Sequence, residues 1–463
     1  MPHELDSFFF PKNVAVIGAS GQKESIGRTI FENFLSGHLK NRVYPVNPNH
    51  LRVLGKKSYK SIKEIRGKID LAVIAVPARF VAGAAEECVQ KGVKSVIIIS
   101  AGFSEIGEKK ITEELAQVMK KSKHTRWLGP NCFGVLENYS GLNTTFSASR
   151  KTNYPKKGHV SFISQSGALG VAILDWMSTQ PFGLSKFVSY GNAMDIDEAD
   201  ILEYLDYDRQ TKVITVYLEG VKEGRKFMKI AKKTAPKTPI ILLKGGVFEE
   251  THKATASHTG SLAGSSDVYN ALFKQTGIIQ AHDLQELFMF AKTISLEPLP
   301  SGNHVQIITN GGGMGVVTAD QVLSSGLELA KISPSIKKEL GKKFPKTVTV
   351  ANPLDLVGDA DDKRYATAIE AGLLDKNVDM LLVIVLFNTP AVDKKVVKEI
   401  VKAKKKSKKP LAVVTIGSDY TMAMVEELEK NGVVVFSYPG IAARSLKALS
   451  DYATRHKNKR KIN

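Results

Sequence analysis

The stretch KGGVFEETHKATASHTGSLAGSSDVY (244–269) has no apolar period and is built mostly of small and polar residues, yet it holds His252 and His258, two of only ten histidines in the chain. A loop this long inside a compact domain is usually functional. A neutral imidazole keeps a nitrogen lone pair near pH 7 and can attack phosphorus. Such a histidine needs a partner that fixes its other ring nitrogen, and a carboxylate at a strand end can do so. Glu219 in YLEGV (217–221) closes an apolar strand and is the candidate partner of His258. The alternative for His258 is a solvated loop histidine with no chemical role.

Two further stretches have the composition of phosphate cradles. SQSGALG (164–170) and TNGGGMG (309–315) each follow an apolar strand and precede a helical stretch. Small residues let backbone approach an anion there, and the helix dipole favours its charge. Neither is a Walker A loop, because no Gly-Lys-Ser/Thr follows. The segments 158–171 and 303–316 align without gaps at an offset of 145, with six of fourteen positions identical and the spacing Gly167/Gly170 repeated as Gly312/Gly315. This reads as an internal repeat of one phosphate-handling device, its two helix ends expected to face one phosphoryl group.

A third glycine turn, IGASGQKESIGR (17–28), departs from the dinucleotide pattern, its glycines being Gly18, Gly21 and Gly27. The next strand ends in VNPN (46–49), without an acidic residue for a ribose diol. Both departures argue against NAD. Arg52, Lys56 and Lys57 follow, where extra phosphate could be met. An adenine nucleotide richer in phosphate, such as coenzyme A, fits better; the alternative is a turn that only packs a helix on its sheet.

The elements that must carry these stretches are short apolar runs alternating with longer amphipathic ones, the pattern of parallel sheets with crossover helices. NVAVIGAS (13–20), RVYPVNP (42–48), LAVIAVPA (71–78), SVIIISAGF (95–103) and RWLGPNCFG (126–134) make one set. After the basic stretch SRKTNYPKKG (149–158) come HVSFIS (159–164), KFVSYG (186–191), KVITVYLEG (212–220) and PIILLKGG (239–246). SLEPLPSGN (295–303) reads as a linker. HVQIITNGG (304–312), VDMLLVIVLFN (378–388), PLAVVTIG (410–417) and GVVVFSYP (432–439) complete a third set. The expected fold class is α/β, with three doubly wound Rossmann-like or flavodoxin-like parallel-sheet domains at 1–130, 131–298 and 299–463. With 463 residues the chain is too long for one core.

The net charge of +19 comes from 65 basic and 46 acidic residues and favours anionic partners. Runs such as KAKKKSKKP (402–410) read as solvated faces, and no nucleic-acid motif accompanies them. MLLVIVLF (380–387) is far short of the ~20 residues of a membrane helix. The N-terminus lacks the basic region of a secretory signal. Cys88 and Cys132 are too few for a disulfide framework or zinc cluster and fit a reducing cytoplasm. No nucleic acid, no membrane and no metal on this chain are expected.

With these residues in view, the sequence resembles the alpha subunit of NDP-forming (ADP-forming) acyl-coenzyme A synthetases, the relatives of succinyl-coenzyme A synthetase. VAVIGAS, YPVNP, IAVPA, GPNCFGV, SQSGALG, SHTGSLAG and NGGGMG match family motifs in order along nearly the whole chain. The resemblance implies that coenzyme A lies against Gly18, Ser20, Gly21, Gln22, Lys23, Asn47, Pro48, Pro77, Ser100, Ala101 and Asn131. It implies that His258 becomes phosphohistidine by way of an acyl phosphate and that Glu219 orients it. Gln165, Ser166 and Gly167 match the family's phosphate-binding helix, and Gly311, Gly312 and Gly313 match its counterpart in the third domain. No stretch is left for the ATP-grasp domain that binds nucleotide in this family. ADP or ATP with Mg2+ is therefore expected on a separate beta subunit, in an alpha2beta2 heterotetramer. The third domain resembles the carboxyl-terminal domain of the succinyl enzyme's beta chain, which points to the ADP-forming acetyl/acyl type. SYGNAMDIDEADILEYL (189–205) is expected to border the acid pocket. A coenzyme A-binding regulatory protein of the same architecture is the alternative, and its mark would be loss of the histidine.

Overall fold

The computed structural model describes residues 3–122, 124–147, 153–248, 250–251 and 266–460. His252 and His258 lie outside these residues. The chain divides into two compact units, Met1–His282 and Asp283–Asn463.

The first unit carries two main sheets. One is built from β1 (Val14–Ile17), β2 (Val43–Val46), β5 (Leu71–Ile74), β6 (Ser95–Ile98) and β7 (Arg126–Leu128), all parallel, in the order β2-β1-β5-β6-β7. Every residue of β1, β5 and β6 is buried, which is why these strands read as unbroken apolar runs. Between β2 and β5 a small antiparallel ribbon pairs Arg52–Val53 (β3) with Lys56–Lys57 (β4), so that Arg52 stands opposite Lys57.

The second sheet contains β8 (Gly134–Glu137), β9 (Leu142–Asn143), β10 (Lys157–Ser164), β11 (Leu184–Ser189), β12 (Val213–Leu218), β13 (Ile240–Lys244) and β14 (Ile279–Ala281). Its order is β14-β13-β12-β10-β11-β8-β9. The parallel core was expected, but β8 runs antiparallel to β11 and to β9, adding an edge pair beyond the sequence reading. An antiparallel pair needs only a tight turn, here 138–141, and so carries no crossover helix to announce it. Its register sets Lys186 opposite Glu137, both fully buried, with Asp208 2.7 Å from the Lys186 Nζ. A slip would strand a buried charge, at a cost of roughly 3–5 kcal/mol.

The second unit holds β15 (His304–Thr309), β16 (Glu328–Leu329), β17 (Leu354–Asp355), β18 (Met380–Ile384), β19 (Leu411–Val414) and β20 (Val434–Phe436). The order is β16-β15-β18-β19-β20, with β17 also on β15, and all pairings are parallel. Helix Leu284–Leu296, which the sequence reading groups with the second domain, packs on helix Pro439–Arg460 of this unit. Arg444 bonds Glu286 at 2.6 Å, and Lys292 pairs with Glu429.

In each main sheet the chain leaves a central strand toward one edge and later returns on the other side. These reversals fall at β1, β10 and β15, the strands followed by the three glycine-containing turns. Crevices open at such points beyond the carboxyl ends of parallel strands, where ligands bind in open α/β sheets.

Candidate functional site

β10 and β12 are parallel neighbours with Ser164 in register with Tyr217, so the residues just past each strand meet. The Gln165 amide donates to the Tyr217 carbonyl at 3.1 Å. The Gln165 Oε1 accepts the Glu219 and Gly220 amides, at 2.7 and 3.1 Å. Glu219 is buried, and its Oε1 accepts the Tyr217 hydroxyl at 3.2 Å. Burial and the Glu219 charge push the Tyr217 phenol well up, so it stays a donor. Behind this corner the buried Lys244 Nζ donates to the Glu219 carbonyl at 2.8 Å and to the Gly246 carbonyl at 3.2 Å. Burial lowers the Lys244 pKa to about 8 against the opposing pull of Glu219.

Helix Gly167–Ser178 starts two residues after Gln165. Ser166 caps it by accepting the Leu169 amide. The first-turn amides of such a helix lack intrahelical partners and suit an anion. A Cβ at Gly170 would come within 2.5 Å of the Phe187 ring and force a shift, while one at Gly167 would make a tight 3.3 Å contact with the Phe133 Cβ, so the small residues let this helix sit close to the sheet.

In the other half of the unit, Gly18 takes φ +92 at the end of β1, and a Cβ there would lie 2.3 Å from the Ala75 carbonyl oxygen. The Ser20 hydroxyl accepts the Gln22 amide at 3.0 Å. The Asn47 carboxamide donates to the Ala19 carbonyl at 2.8 Å, tying the end of β2 to this turn. Gly21 has open space where a side chain would stand, and Gln22 and Lys23 are exposed beside it. Ser100 donates to the Val76 carbonyl at 2.5 Å, and its own carbonyl accepts the Asn131 amide at 2.9 Å. Pro77 caps the short 3-10 turn Ala78–Phe80; Pro48 is exposed on the loop beyond Asn47.

The two halves share one cavity of about 400 Å3. Ser100, Ala101 and Asn131 line it from one side of the sequence, and Gln165, Ser166, Gly167 and Glu219 from the other. Asn192 lines it as well, and its carboxamide accepts from Asn131 at 3.2 Å and donates to Glu105 at 2.6 Å. Burial opposes ionisation of Glu105, but the Gly102 amide, Asn192 and the Phe103 amide outweigh it and lower its pKa. Lys222 holds the same loop, donating to the carbonyls of Asn192 and Ala193 at 2.5 and 3.1 Å. Asn131 and Ala193 both adopt left-handed backbone, φ 58 and 48, a strain of the kind that gathers at functional sites.

Of the residues singled out from sequence, the fold gathers Ser100, Ala101, Asn131, Gln165, Ser166, Gly167 and Glu219 around one cavity. Gly18, Ser20, Gln22 and Asn47 join around one turn. Gly311, Gly312 and Gly313 lie in the second unit, where Gly311 caps helix Gly312–Ser324 and a Cβ on Gly312 would meet the Asp355 carboxylate at 2.6 Å. His258 lies outside the described residues. The sequence reading did not single out Phe133, Phe146, Lys222 or Lys244; Asn192 sits inside the stretch 189–205 that it assigned to the acid pocket. Among the described residues no cluster of three His, Cys, Asp or Glu side chains could hold a metal, and no helix is long and apolar enough to cross a membrane.

Three family models match the chain in sequence. A CoA binding domain covers residues 12–138, a succinyl-CoA ligase like flavodoxin domain 157–294, and a Ligase-CoA domain 305–453. The chain is 41% identical over 455 residues to the acetate–CoA ligase [ADP-forming] II subunit alpha of Pyrococcus furiosus, covering 97% of this chain and 98% of that one. It is 40% identical over 455 residues to an acetate–CoA ligase [ADP-forming] of Methanocaldococcus jannaschii, covering 97% of this chain but 64% of that longer protein. A solved structure of a dinucleotide forming acetyl-coenzyme A synthetase 1 from Ca. Korarchaeum cryptofilum, in complex with phosphate and ADP, superposes with a TM-score of 0.91 at 37% identity, over 99% of this chain and 98% of that one.

Proposed function

The chain belongs to the family of ADP-forming acyl-coenzyme A ligases, and on that footing we propose that it is the alpha subunit of such an enzyme, turning acyl-CoA, phosphate and ADP into carboxylic acid, CoA and ATP. The observation that carries the reading is the shared cavity. It sets Ser100, Ala101 and Asn131, next to the turn suited to coenzyme A, against the capped end of helix Gly167–Ser178 and the Glu219 carboxylate.

Coenzyme A fits the first half of the unit because the Gly18–Lys23 turn offers open space at Gly21 and the exposed Lys23 for phosphate. Asn47 and Pro48 border that turn, and Pro77, Ser100 and Ala101 extend the surface toward the cavity. There, phosphate oxygen attacks the thioester carbonyl, the C–S bond breaks, and the thiol leaves as CoA. The acyl phosphate's phosphoryl group rests on the amides of Ser166 and Gly167 and on the Gln165 carboxamide, where the helix dipole meets its charge. An imidazole nitrogen of His258 attacks phosphorus, and the P–O bond to the acyl oxygen breaks to release the carboxylate. Glu219 accepts the other ring N–H and offsets the charge of the phosphorylated imidazole. Gly311, Gly312 and Gly313 handle the phosphoryl group in the second unit.

The relatives named as alpha subunits imply a partner chain. The longer Methanocaldococcus protein extends beyond this chain's match, which fits a nucleotide-binding part supplied here by a separate ATP-grasp beta subunit with its Mg2+, in an alpha2beta2 assembly. The two cysteines are free and buried, as suits a reducing cytoplasm. The test is reconstitution with the beta subunit. His258→Ala should lower turnover at least about a thousandfold, while coenzyme A affinity stays within about twofold. Full activity in that variant would overturn the mechanism.

A further inference from the structure

The residues that line the shared cavity are of two kinds. Ser100, Asn131, Gln165 and Glu219 are polar; Ile26, Phe133, Phe146 and Val171 are apolar. Phosphate and thiol chemistry uses the first and gives no reason for the second. An acyl group, however, brings hydrocarbon that must lie somewhere within reach of the carbonyl carbon. Glu219 is the one charged side chain among the lining residues, so the cavity suits an uncharged acyl tail.

We propose that Phe146 sets the size limit for the acyl group, an inference that rests on the function proposed above. Its ring is half-buried and meets the Phe133 ring edge-on, with centroids 4.6 Å apart at 67°. Phe133 is itself buried and meets the Phe187 ring edge-on, with centroids 6.1 Å apart. The backbone on either side of Phe146 is pinned from separate elements. Asn33 donates to the Thr145 carbonyl at 2.8 Å, and the Tyr154 hydroxyl donates to the Ser147 carbonyl at 2.9 Å. A ring on a backbone tied at both sides, packed edge-on against a buried neighbour, is a stop and not a flap. Nothing polar on Phe146 serves the reaction, so its effect falls on the hydrocarbon.

The test is the acyl profile of the complex reconstituted with its beta subunit, as kcat/KM for acetyl-CoA, isobutyryl-CoA and phenylacetyl-CoA. Phe146→Ala should raise the phenylacetyl-to-acetyl ratio at least about tenfold, because several methylene equivalents of buried contact become available. Phe146→Leu, which keeps most of the packing, should move the ratio the same way by a smaller factor. A merely structural role would lower all three values together and leave the ratios within about twofold; that result in both variants overturns the proposal. A wild-type complex that turns over none of the three overturns the proposed function and the size limit with it. An active wild type with unmoved variant ratios overturns the size limit alone.

Discussion

Glu198 lies buried in the first turn of helix Glu198–Tyr207, behind the cavity loop. Burial, with Asp197 adding to it, raises its carboxyl to about 7, although Lys222 and Lys226 pull the other way. Its ordinary value is 4.5, so between pH 4.5 and about 7 the folded chain holds a proton that the unfolded chain releases. Stability contributed here is therefore whole below pH 4.5 and is lost as pH rises through that window. Glu198→Gln has no such titration. It should exceed the wild type by up to about 3 kcal/mol in urea unfolding at pH 8, with the gap closing toward pH 4.5. An equal gap at both pH values would sink the account. Single residues differ in how far sequence exposes them. Glu219 was legible because it ends an apolar strand. Glu198 was not, since its perturbation comes from packing that no local pattern records. Gln165 was legible as part of a glycine turn, but its grip on the Glu219 amide depends on two strands 50 residues apart lying side by side.

At the scale of elements, the strand–turn–helix units were the readable part. β1, β12, β15 and β18 fall inside the expected apolar runs, and β10 starts two residues before its run, because strands buried on both faces leave continuous hydrophobic signatures. The antiparallel pair β8 and β9 was not read: the polar turn between two short strands looks like loop. Phe146 follows that pair, which is why this lining residue of the cavity escaped sequence reasoning. The first unit's Gly27 tests how tightly turn and helix are fitted. It sits in helix Ile26–Ser36, and a Cβ there would come within 2.0 Å of the Gly18 carbonyl oxygen. Gly27→Ala must push the helix off the turn. It should cost about 1–3 kcal/mol in thermal or urea unfolding and weaken coenzyme A binding at least about tenfold by calorimetry. Unchanged affinity would separate this turn from the coenzyme A site.

For the whole molecule, part of the basic excess has a plain location. Helix Lys394–Lys406 buries Val396, Val397 and Ile400, while Lys402, Lys405 and Lys406 are exposed. These three form the solvated face that the sequence suggested, but Lys404 in the same run turns inward to the buried Glu297 at 2.5 Å. Asp283–Asn463 has its own sheet and its own buried core. Expressed alone, it should unfold cooperatively, with a single transition in far-UV circular dichroism; a gradual, non-cooperative melt would show that it depends on the rest of the chain.

Gln165 leaves one more consequence. A carboxamide has two unlike ends, and its oxygen is committed to the amides of Glu219 and Gly220. The NH2 end is then aimed by the backbone rather than by whatever enters the cavity. A serine hydroxyl or a water would turn to follow its visitor and would have to turn back each cycle. Gln165 keeps one bearing through every turnover, so an oxygen arriving there meets a donor that already points the right way.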